Sequence, residues 1–467
     1  MAISQTYCDF ATGNDYKGAS FVDGAFTVAD MTLTKAGAFA ASKVNHWLYL
    51  ADNGSGNVTA GYYRIASVTS NDAVVLAASP KSGATDPTDV VCTQHDGTTT
   101  LPWRSVQGAL DLITRDATNG DQVNVKAGST NIASAAIVLT TYGNASEVAP
   151  LVIRGYTATA NDGGQGYIAT NNGAFATIGT TTGNLFFIDL RIGSSAGQVA
   201  YSSGTPCTFI NCLFDGAGYG IHLGQGGFVY RCTFTHAQSR PNEASVAFQN
   251  GCVIGCLFVE PSLNAWNTQK AAVRSIYGIT NGAIIDGNII ILNDTSDIHG
   301  IAVEGGSHGL VRNNLVYNRA AGIGAGIYAD ENNGLVVTNV YNNIVSGFSG
   351  VGGCGVKTGD ANFMLGLLGS NAFYNNTTQE SLVEGEIYRV SGDQTLLADP
   401  LTDAAGGDYT LTAAAQAALR AAGWPATYLD STLDPLLSVG ALQYGPTPAA
   451  SGGGFPKIAS LLGRTRM

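Results

Sequence analysis

Charged residues are scarce in this sequence. Asp, Glu, Lys and Arg make up 12% of its 467 residues, which is about half of the share usual in soluble domains. The 34 acidic residues outnumber the 22 basic ones and give a net charge of -12. Nucleic-acid binding needs a concentrated basic surface, so we expect no nucleic acid among the partners. A polar surface with little charge suits sugars, or simply solubility.

Hydrophobic segments of the kind that enter membranes are also missing. No apolar run approaches the length needed to cross a bilayer. The start of the sequence, MAISQTYCDFATGND, has neither the basic segment nor the apolar segment of a signal peptide. We therefore expect neither a membrane protein nor a secreted one.

Metal-binding spacings are absent as well. The eight cysteines form no CxxC pair, and none lies at zinc-finger spacing with histidine. We predict reduced, buried thiols, no metal and no cofactor. His299 and His308 are interpreted as exposed loop residues rather than as a metal pair, because no cluster of acidic residues and histidines accompanies them.

Against this background, one short pattern recurs. It reads NCLFDG from Asn211, GNIIIL from Gly287 and NNIVSG from Asn342. Its second position holds, in chain order, Cys212, Cys232, Cys256, Asn288, Asn314, Asn343 and Asn371. With Leu190 added in front, the intervals are 22, 20, 24, 32, 26, 29 and 28 residues. Such a period is typical of a repeat architecture.

Each repeat consists of short Val- and Ile-rich strands between Gly, Asn and Asp turns. At the first position of the pattern, six of eight residues are Gly, Asn or Asp, the types that tolerate a left-handed backbone. The second position should then point inward and stack on its equivalents about 4.8 Å away. We predict that the thiols fill this column among apolar neighbours and that the asparagines hydrogen-bond from coil to coil.

Three stretches carry a resemblance to a known family. They are DGTTTLPWRSVQGALDLITRDATNGDQVNVKAG from Asp96, PLVIRGYTATANDGG from Pro150 and ADPLTDAAGGDYTLTAAAQA from Ala398. They resemble the start, second coil and closing segment of right-handed parallel β-helix proteins, in the version common among bacteriophage tail and capsid proteins and polysaccharide-degrading enzymes. The resemblance implies an all-β, right-handed parallel β-helix solenoid over residues 96–445, with an N-terminal capping helix.

The remaining residues form two further parts. Residues 1–95 alternate apolar and polar side chains between Asn/Gly turns, which predicts a small β module ahead of the solenoid. Residues 446–467 begin as a flexible linker and end in an apolar, basic segment. Such a segment could dock into a groove of a partner, and an unstructured terminus is the alternative. The candidate docking residues are Phe455, Lys457, Ile458, Leu461, Leu462, Arg464 and Arg466.

Candidate catalytic residues are few. Glu304 and Asp330 follow the similar strands GIAVE and GIYAD, so they could lie one above the other, with Asp297 nearby. Two carboxylates at such a distance could act as a glycosidase pair, whereas the alternative is that they form turns. Trp266, in a long insertion, could stack on a sugar or pack at a subunit contact.

The favoured function is that of a bacteriophage virion structural protein. It would be a capsid decoration or tail spike or fibre protein, joined to other virion proteins through its termini and exposed to host-surface polysaccharide. The family's habit implies a homotrimer. The alternative is a polysaccharide depolymerase tailspike, a glycosidase or a lyase, so enzymatic activity stays open. A secreted adhesin is a third hypothesis, disfavoured by the missing signal peptide.

Overall fold

The computed structural model describes residues 3–128, 131–133, 137–138, 149–170, 176–178, 184–194, 198–202, 207–215, 219–235, 245–260, 270–275, 282–304, 308–330, 337–359, 364–383, 388–389 and 392–419. Within these ranges the regular structure is almost entirely β, with two short helices, α1 (Val106–Leu112) and α2 (Ala413–Leu419). Neither described helix has the length and apolar character of a membrane span.

Most strands belong to a solenoid of parallel coils with three sheets along its length, here called sheets 1, 2 and 3. Sheet 1 contains β8 (Asp121–Lys126), β11 (Leu151–Tyr156), β14 (Leu185–Ile188), β17 (Cys207–Ile210), the second halves of β19 (Tyr219–Tyr230) and β21 (Val246–Ile254), β24 (Ala283–Asp286), β27 (His308–Arg312), β30 (Val337–Tyr341), β33 (Met364–Gly369) and β36 (Tyr388–Arg389).

Sheet 2 follows sheet 1 in each coil, and sheet 3 closes the coil. Sheet 2 contains β9 (Asn131–Ala133), β12 (Gly166–Thr170), β15 (Leu190–Ser194), β18 (Leu213–Asp215), β20 (Thr233–Thr235), β22 (Leu257–Val259), β25 (Ile289–Leu292), β28 (Leu315–Asn318), β31 (Ile344–Ser346), β34 (Ala372–Tyr374) and β37 (Gln394–Thr395). Sheet 3 contains β10 (Ile137–Val138), β13 (Ala176–Ile178), β16 (Gln198–Ser202), the first halves of β19 and β21, β23 (Lys270–Ser275), β26 (Ile298–Glu304), β29 (Ala325–Asp330), β32 (Cys354–Thr358) and β35 (Thr378–Ser381).

The interior of the solenoid is a continuous apolar core. Equivalent side chains stack from coil to coil, and the rings of Phe214 and Phe234 lie 4.6 Å apart with a 4° interplanar angle. The ring of Phe258 adds a further layer at 4.7 Å. This spacing equals the distance between paired strands, so the register of the sheets positions the core side chains.

Helix α1 closes the first end of the solenoid. The side chain of Ser105 caps it by accepting the N–H of Gly108 at 2.9 Å. Val106, Ala109 and Leu112 are buried in the solenoid core. The helix therefore covers apolar positions that would otherwise face water at the end of the coil.

The N-terminal residues contribute to two structures. Strands β2 (Phe21–Thr27), β3 (Thr32–Thr34), β4 (Trp47–Asp52), β5 (Gly61–Ser70), β6 (Ala73–Leu76) and β7 (Val90–Cys92) form a closed antiparallel barrel with its own core. Strand β1 (Ser4–Cys8) instead pairs in parallel with β8 of sheet 1. The module predicted at 1–95 thus differs from the structure at its start, because β1 supplies the hydrogen bonds that the first edge of sheet 1 needs.

The barrel and the solenoid meet at a buried carboxylate. Asp15 accepts the backbone N–H groups of Trp47, Arg104 and Ser105 at 3.1, 2.9 and 2.9 Å. It also accepts the hydroxyl of Ser105 at 2.6 Å. One side chain therefore connects the barrel to the cap of helix α1.

The last described segment folds back onto the outside of the solenoid. The hairpin of β38 (Leu401–Asp403) and β39 (Asp408–Leu411), together with α2, packs on outward residues of sheet 2 such as Leu315, Ile344 and Ala372. The outer apolar positions of these coils are thereby buried. The predicted end of the solenoid at 445 and the predicted docking peptide lie outside the described residues.

Candidate functional site

A left-handed bend separates sheets 1 and 2 in eight successive coils. Eight successive bend residues have φ angles between 52° and 66°. They are Asp189, Asn211, Arg231, Gly255, Gly287, Asn313, Asn342 and Ser370. Arg231 and Ser370 adopt this conformation although their side chains disfavour it, which indicates that the coil geometry dictates the bend.

The residue after each bend points inward, and four asparagines form a hydrogen-bonded ladder there. Asn314 donates to the Oδ1 of Asn343 at 3.0 Å and to the carbonyl of Ile285 at 2.9 Å. Its own Oδ1 accepts the backbone and side-chain N–H groups of Asn288 at 3.0 and 2.9 Å. Asn371 continues the ladder by accepting from Asn343. Asn288, Asn314 and Asn343 thus have amide partners in the coils on either side, and the amide of Asn371 is bonded to the preceding coil.

The thiol part of the column is a packing device. Cys212, Cys232 and Cys256 are buried and free, and their sulfurs lie 3.4 to 3.6 Å from backbone carbonyl oxygens. Burial raises the pKa of the Cys232 thiol well above its usual value. A buried thiol with a raised pKa is a poor nucleophile, which favours a packing role for Cys232.

The ladder ends one coil later than the repeat pattern indicated. Asp393 accepts the backbone N–H of Asn371 at 2.7 Å, in the same way that Asn371 accepts that of Asn343. The next residue, Gln394, pairs with Ala372 of β34. The signal in the sequence was the pair Gly392–Asp393, in which a polar residue follows a glycine and lies 22 positions after Asn371.

The clearest candidate for function is a group of five side chains on sheet 3, here called the ionic cluster: Arg274, His299, Glu304, Tyr328 and Lys357. Arg274 pairs in register with Ala302, Ala302 with Tyr328, and Tyr328 with Lys357, so these positions form one column across four coils. Their neighbours along the strands, such as Ile327 and Val356, belong to the core. Alternation along a strand therefore directs the column outward.

Within the cluster, Arg274 and Glu304 form a buried ion pair. Nε of Arg274 donates to Oε1 of Glu304 at 2.8 Å, and Nη2 donates to Oε2. The two residues are 7% and 2% exposed. A buried bidentate pair of this kind fixes both side chains, and removing one partner would leave an uncompensated charge.

His299 is a buried strand residue, so its interpretation as an exposed loop histidine was wrong. Its Nδ1 accepts the N–H of Ala325 at 3.0 Å, and its ring stacks on that of Tyr328 with centroids 4.3 Å apart. Burial and the nearby charge of Lys357 lower the pKa of the imidazole to about 3. The ring is therefore neutral with its proton on Nε2, and its burial follows from the stacking, which the sequence did not reveal.

Tyr328 and Lys357 are the half-buried members of the cluster. The ammonium of Lys357 lies 6.0 Å from the centroid of the Tyr328 ring, within the range of a cation–π contact. Together they present a phenol, an aromatic edge and a positive charge. Because Arg274 neutralises Glu304, the cluster carries a net positive charge in an acidic chain.

The other predicted site residues are dispersed. Asp297 is exposed in a bend before β26. Asp330 is the register partner of Glu304, but its side chain lies outside the described residues, as do Trp266, the side chain of His308 and the docking residues from Phe455 to Arg466. In the described part of the chain, no group of three or more His, Cys, Asp and Glu side chains could hold a metal ion.

Comparison with known proteins bears on the fold. A family model described as a right handed beta helix region matches residues 196–378. The fold is a parallel β-helix. This confirms the predicted all-β solenoid with its parallel sheets. The matched β-helix region contains the whole ionic cluster, while no curated protein matches the chain.

Proposed function

We propose that this β-helix is a structural protein of a bacteriophage virion, a capsid decoration or tail protein, that binds host-surface glycan at the ionic cluster. The observation that carries the binding role is the column of Tyr328 and Lys357 beside His299. It combines hydrogen-bond donors, an aromatic group and a positive charge on an outer face. Such groups recognise the hydroxyl and carboxylate groups of acidic sugars.

Binding is favoured over cleavage by the state of Glu304. A catalytic carboxylate must exchange a proton or attack the sugar carbon. The carboxylate of Glu304 is instead buried and held by both arms of the Arg274 guanidinium. His299 is buried and neutral, so it does not supply a general acid or base that titrates near neutral pH.

The binding role is tested with immobilised acidic and neutral bacterial surface polysaccharides. We expect the wild-type chain to retain an acidic polysaccharide, and Lys357→Ala to weaken binding by about tenfold or more, since a charge-assisted hydrogen bond is lost. Lys35→Ala is the matched control, because Lys35 forms a surface ion pair with Asp23 on the barrel. Equal binding by both variants, or none by the wild type, would contradict the proposal.

The virion role rests on the resemblance of the sequence and needs its own test. Quantitative mass spectrometry of purified particles should find the chain in fixed ratio to the major capsid protein. Hundreds of copies would indicate a capsid decoration protein, and a handful would indicate a tail protein. A chain ending at Tyr444 should fold yet fail to join particles if the C-terminal segment docks; normal incorporation would rule docking out.

A depolymerase is the second candidate, favoured by one observation. Glu304 and Asp330 are register partners on β26 and β29, so their backbones lie about 4.8 Å apart. A cleaving enzyme should release reducing ends from the bound polysaccharide, and Asp330→Asn should abolish that release. Asp297→Asn should leave it unchanged, because Asp297 lies at the opposite end of β26. Absence of reducing ends with every bound polysaccharide would eliminate this candidate.

A further inference from the structure

The outer face of sheet 1 carries an apolar stripe across six successive strands, β11, β14, β17, β19, β21 and β24. It consists of two columns in register. The first column is Val152, Phe186, Thr208, Phe228, Cys252 and Ile284. The second column is Arg154, Ile188, Ile210, Tyr230, Ile254 and Asp286. All members of the first column are half-buried, although they point away from the core.

The chain covers comparable residues elsewhere. On sheet 2, the hairpin of β38 and β39 and helix α2 bury outward apolar positions such as Leu315 and Ile344. Among the described residues, none of the apolar clusters includes a member of the stripe. Contiguous apolar patches of this kind on a soluble protein are often interaction surfaces.

The order of side-chain sizes indicates what covers the stripe. In the first column, large and small residues alternate in the order Phe186, Thr208, Phe228, Cys252. If a second copy runs antiparallel, the order is reversed and each phenylalanine faces a small residue. Phe186 then meets Cys252 of the second copy, Phe228 meets Thr208, and flat sheets can interdigitate without voids.

We propose that two copies of this chain associate face to face through the stripe. The two-fold axis runs parallel to the strands and passes between β17 and β19. The axis brings Ile188 against Ile254 of the other copy and Ile210 against Tyr230. At each end it brings the guanidinium of Arg154, already paired with Asp189, opposite the carboxylate of Asp286, already paired with Arg312. The contact is isologous, so each pairing occurs twice.

A parallel arrangement fits the same surface less well. With the two-fold axis along the solenoid, the first column of one copy would face the second column of the other within the same coil. Phe228 would meet Tyr230, and Arg154 would meet Val152. Large side chains would then oppose each other and the charge would face an apolar group.

The size of the stripe sets the strength of the association. Six strands at about 4.8 Å span about 29 Å, and two columns give a few hundred Å² per copy. Stable interfaces bury about 800 Å² per partner. The pair should therefore be reversible, with dissociation in the micromolar range.

Sedimentation velocity of the full-length chain over a range of concentrations tests the association. We expect a dimer that dissociates on dilution, and Phe228→Asp should raise the dissociation constant about 100-fold or more, since the contact is made twice. Thr233→Asp is the matched control, because Thr233 lies in the following strand, β20, with its side chain half-buried on sheet 2. A monomer at all concentrations, a trimer, or a dimer that Phe228→Asp leaves intact would refute the proposal.

Cross-linking tests the antiparallel register. Phe186→Cys should be joined to Cys252 of the second copy by a bifunctional thiol reagent whose spacer spans about 10 Å, the distance between stacked sheets, which is too long for a direct disulfide. The wild-type chain should not cross-link through Cys252 itself, since the two copies of that residue would lie three coils, or about 14 Å, apart. The seven other cysteines are buried and should stay unreactive. Failure of Phe186→Cys to cross-link, while the dimer persists, would refute the antiparallel arrangement.

Discussion

Asn314→Ala should destabilise the solenoid by breaking the asparagine ladder at its centre. The amide of Asn314 is completely buried. Truncation removes the acceptor of the Asn288 backbone N–H and the donor to the carbonyl of Ile285. Asn343 keeps a partner, because its Oδ1 also accepts the backbone N–H of residue 314.

The magnitude follows mainly from the orphaned N–H of Asn288, because Ile285 lies within the β24–β27 pairing and its carbonyl keeps a backbone partner there. A buried backbone group left without a partner costs about 1–3 kcal/mol. This group, together with a small cavity, should lower the free energy of unfolding by about 2–4 kcal/mol. Cys232→Ala is the matched control in the same column. Its thiol lies 3.5 Å from the carbonyl oxygen of Tyr230, so the loss should be about 1–2 kcal/mol, mainly from packing.

Urea unfolding followed by circular dichroism measures the two differences. Amide hydrogen exchange locates them, and protection of Asn288 should fall in Asn314→Ala. A solenoid can unfold in sections, and a two-state analysis of the urea data is then unsuitable. In that case the hydrogen-exchange data decide the comparison of the two variants. The ladder would not be a stabilising network if Asn314→Ala cost no more than Cys232→Ala.

Three further predictions concern charged and titratable groups. Arg274→Met should lower the free energy of unfolding by about 3–5 kcal/mol because Glu304 is left buried with its main partner gone; thermal melts should show recovery in Arg274→Met/Glu304→Leu. Burial and Glu380 raise the pKa of Asp393 to about 7. The contribution of Asp393 to the free energy of unfolding is therefore complete below about pH 4 and is lost as the pH rises through 7. In Asp393→Asn, the urea unfolding midpoint should fall less between pH 5 and pH 8 than it does in the wild type. An equal fall in both proteins would contradict the prediction. Burial lowers the pKa of His299 to about 3, so stability should fall as the pH drops below about 6.5. The stability of His299→Gln should change less than that of the wild type between pH 7 and pH 5, as measured by the urea unfolding midpoint.

The bend and the ladder could be predicted because they depend on local chemistry repeated in register. A left-handed backbone favours Gly, Asn and Asp, and a stacked amide column requires asparagine in coil after coil. Both requirements leave a mark in the sequence at each repeat. The capping helix is similar, since Ser105 and the apolar face after it form a local signal.

The ionic cluster could not be predicted in the same way. Arg274 and Lys357 are 83 residues apart in the sequence, yet they belong to one column because the register of β23, β26, β29 and β32 brings them together. The intervening coils differ in length, so spacing alone does not give the register. His299 occupies none of the positions of the repeat pattern, and its burial depends on stacking against Tyr328 from the next coil.

The amino-acid sequence by itself determined a parallel solenoid with bends, an inward polar column and a cap, because these features follow from backbone conformation and from the period of the repeat. Only the tertiary structure decided which outward side chains meet. It paired Arg274 with Glu304, joined β1 to sheet 1 and aligned the apolar stripe, since contacts across coils depend on strand register and loop length. Those two quantities arise when the whole chain is wound and are not encoded in any single repeat.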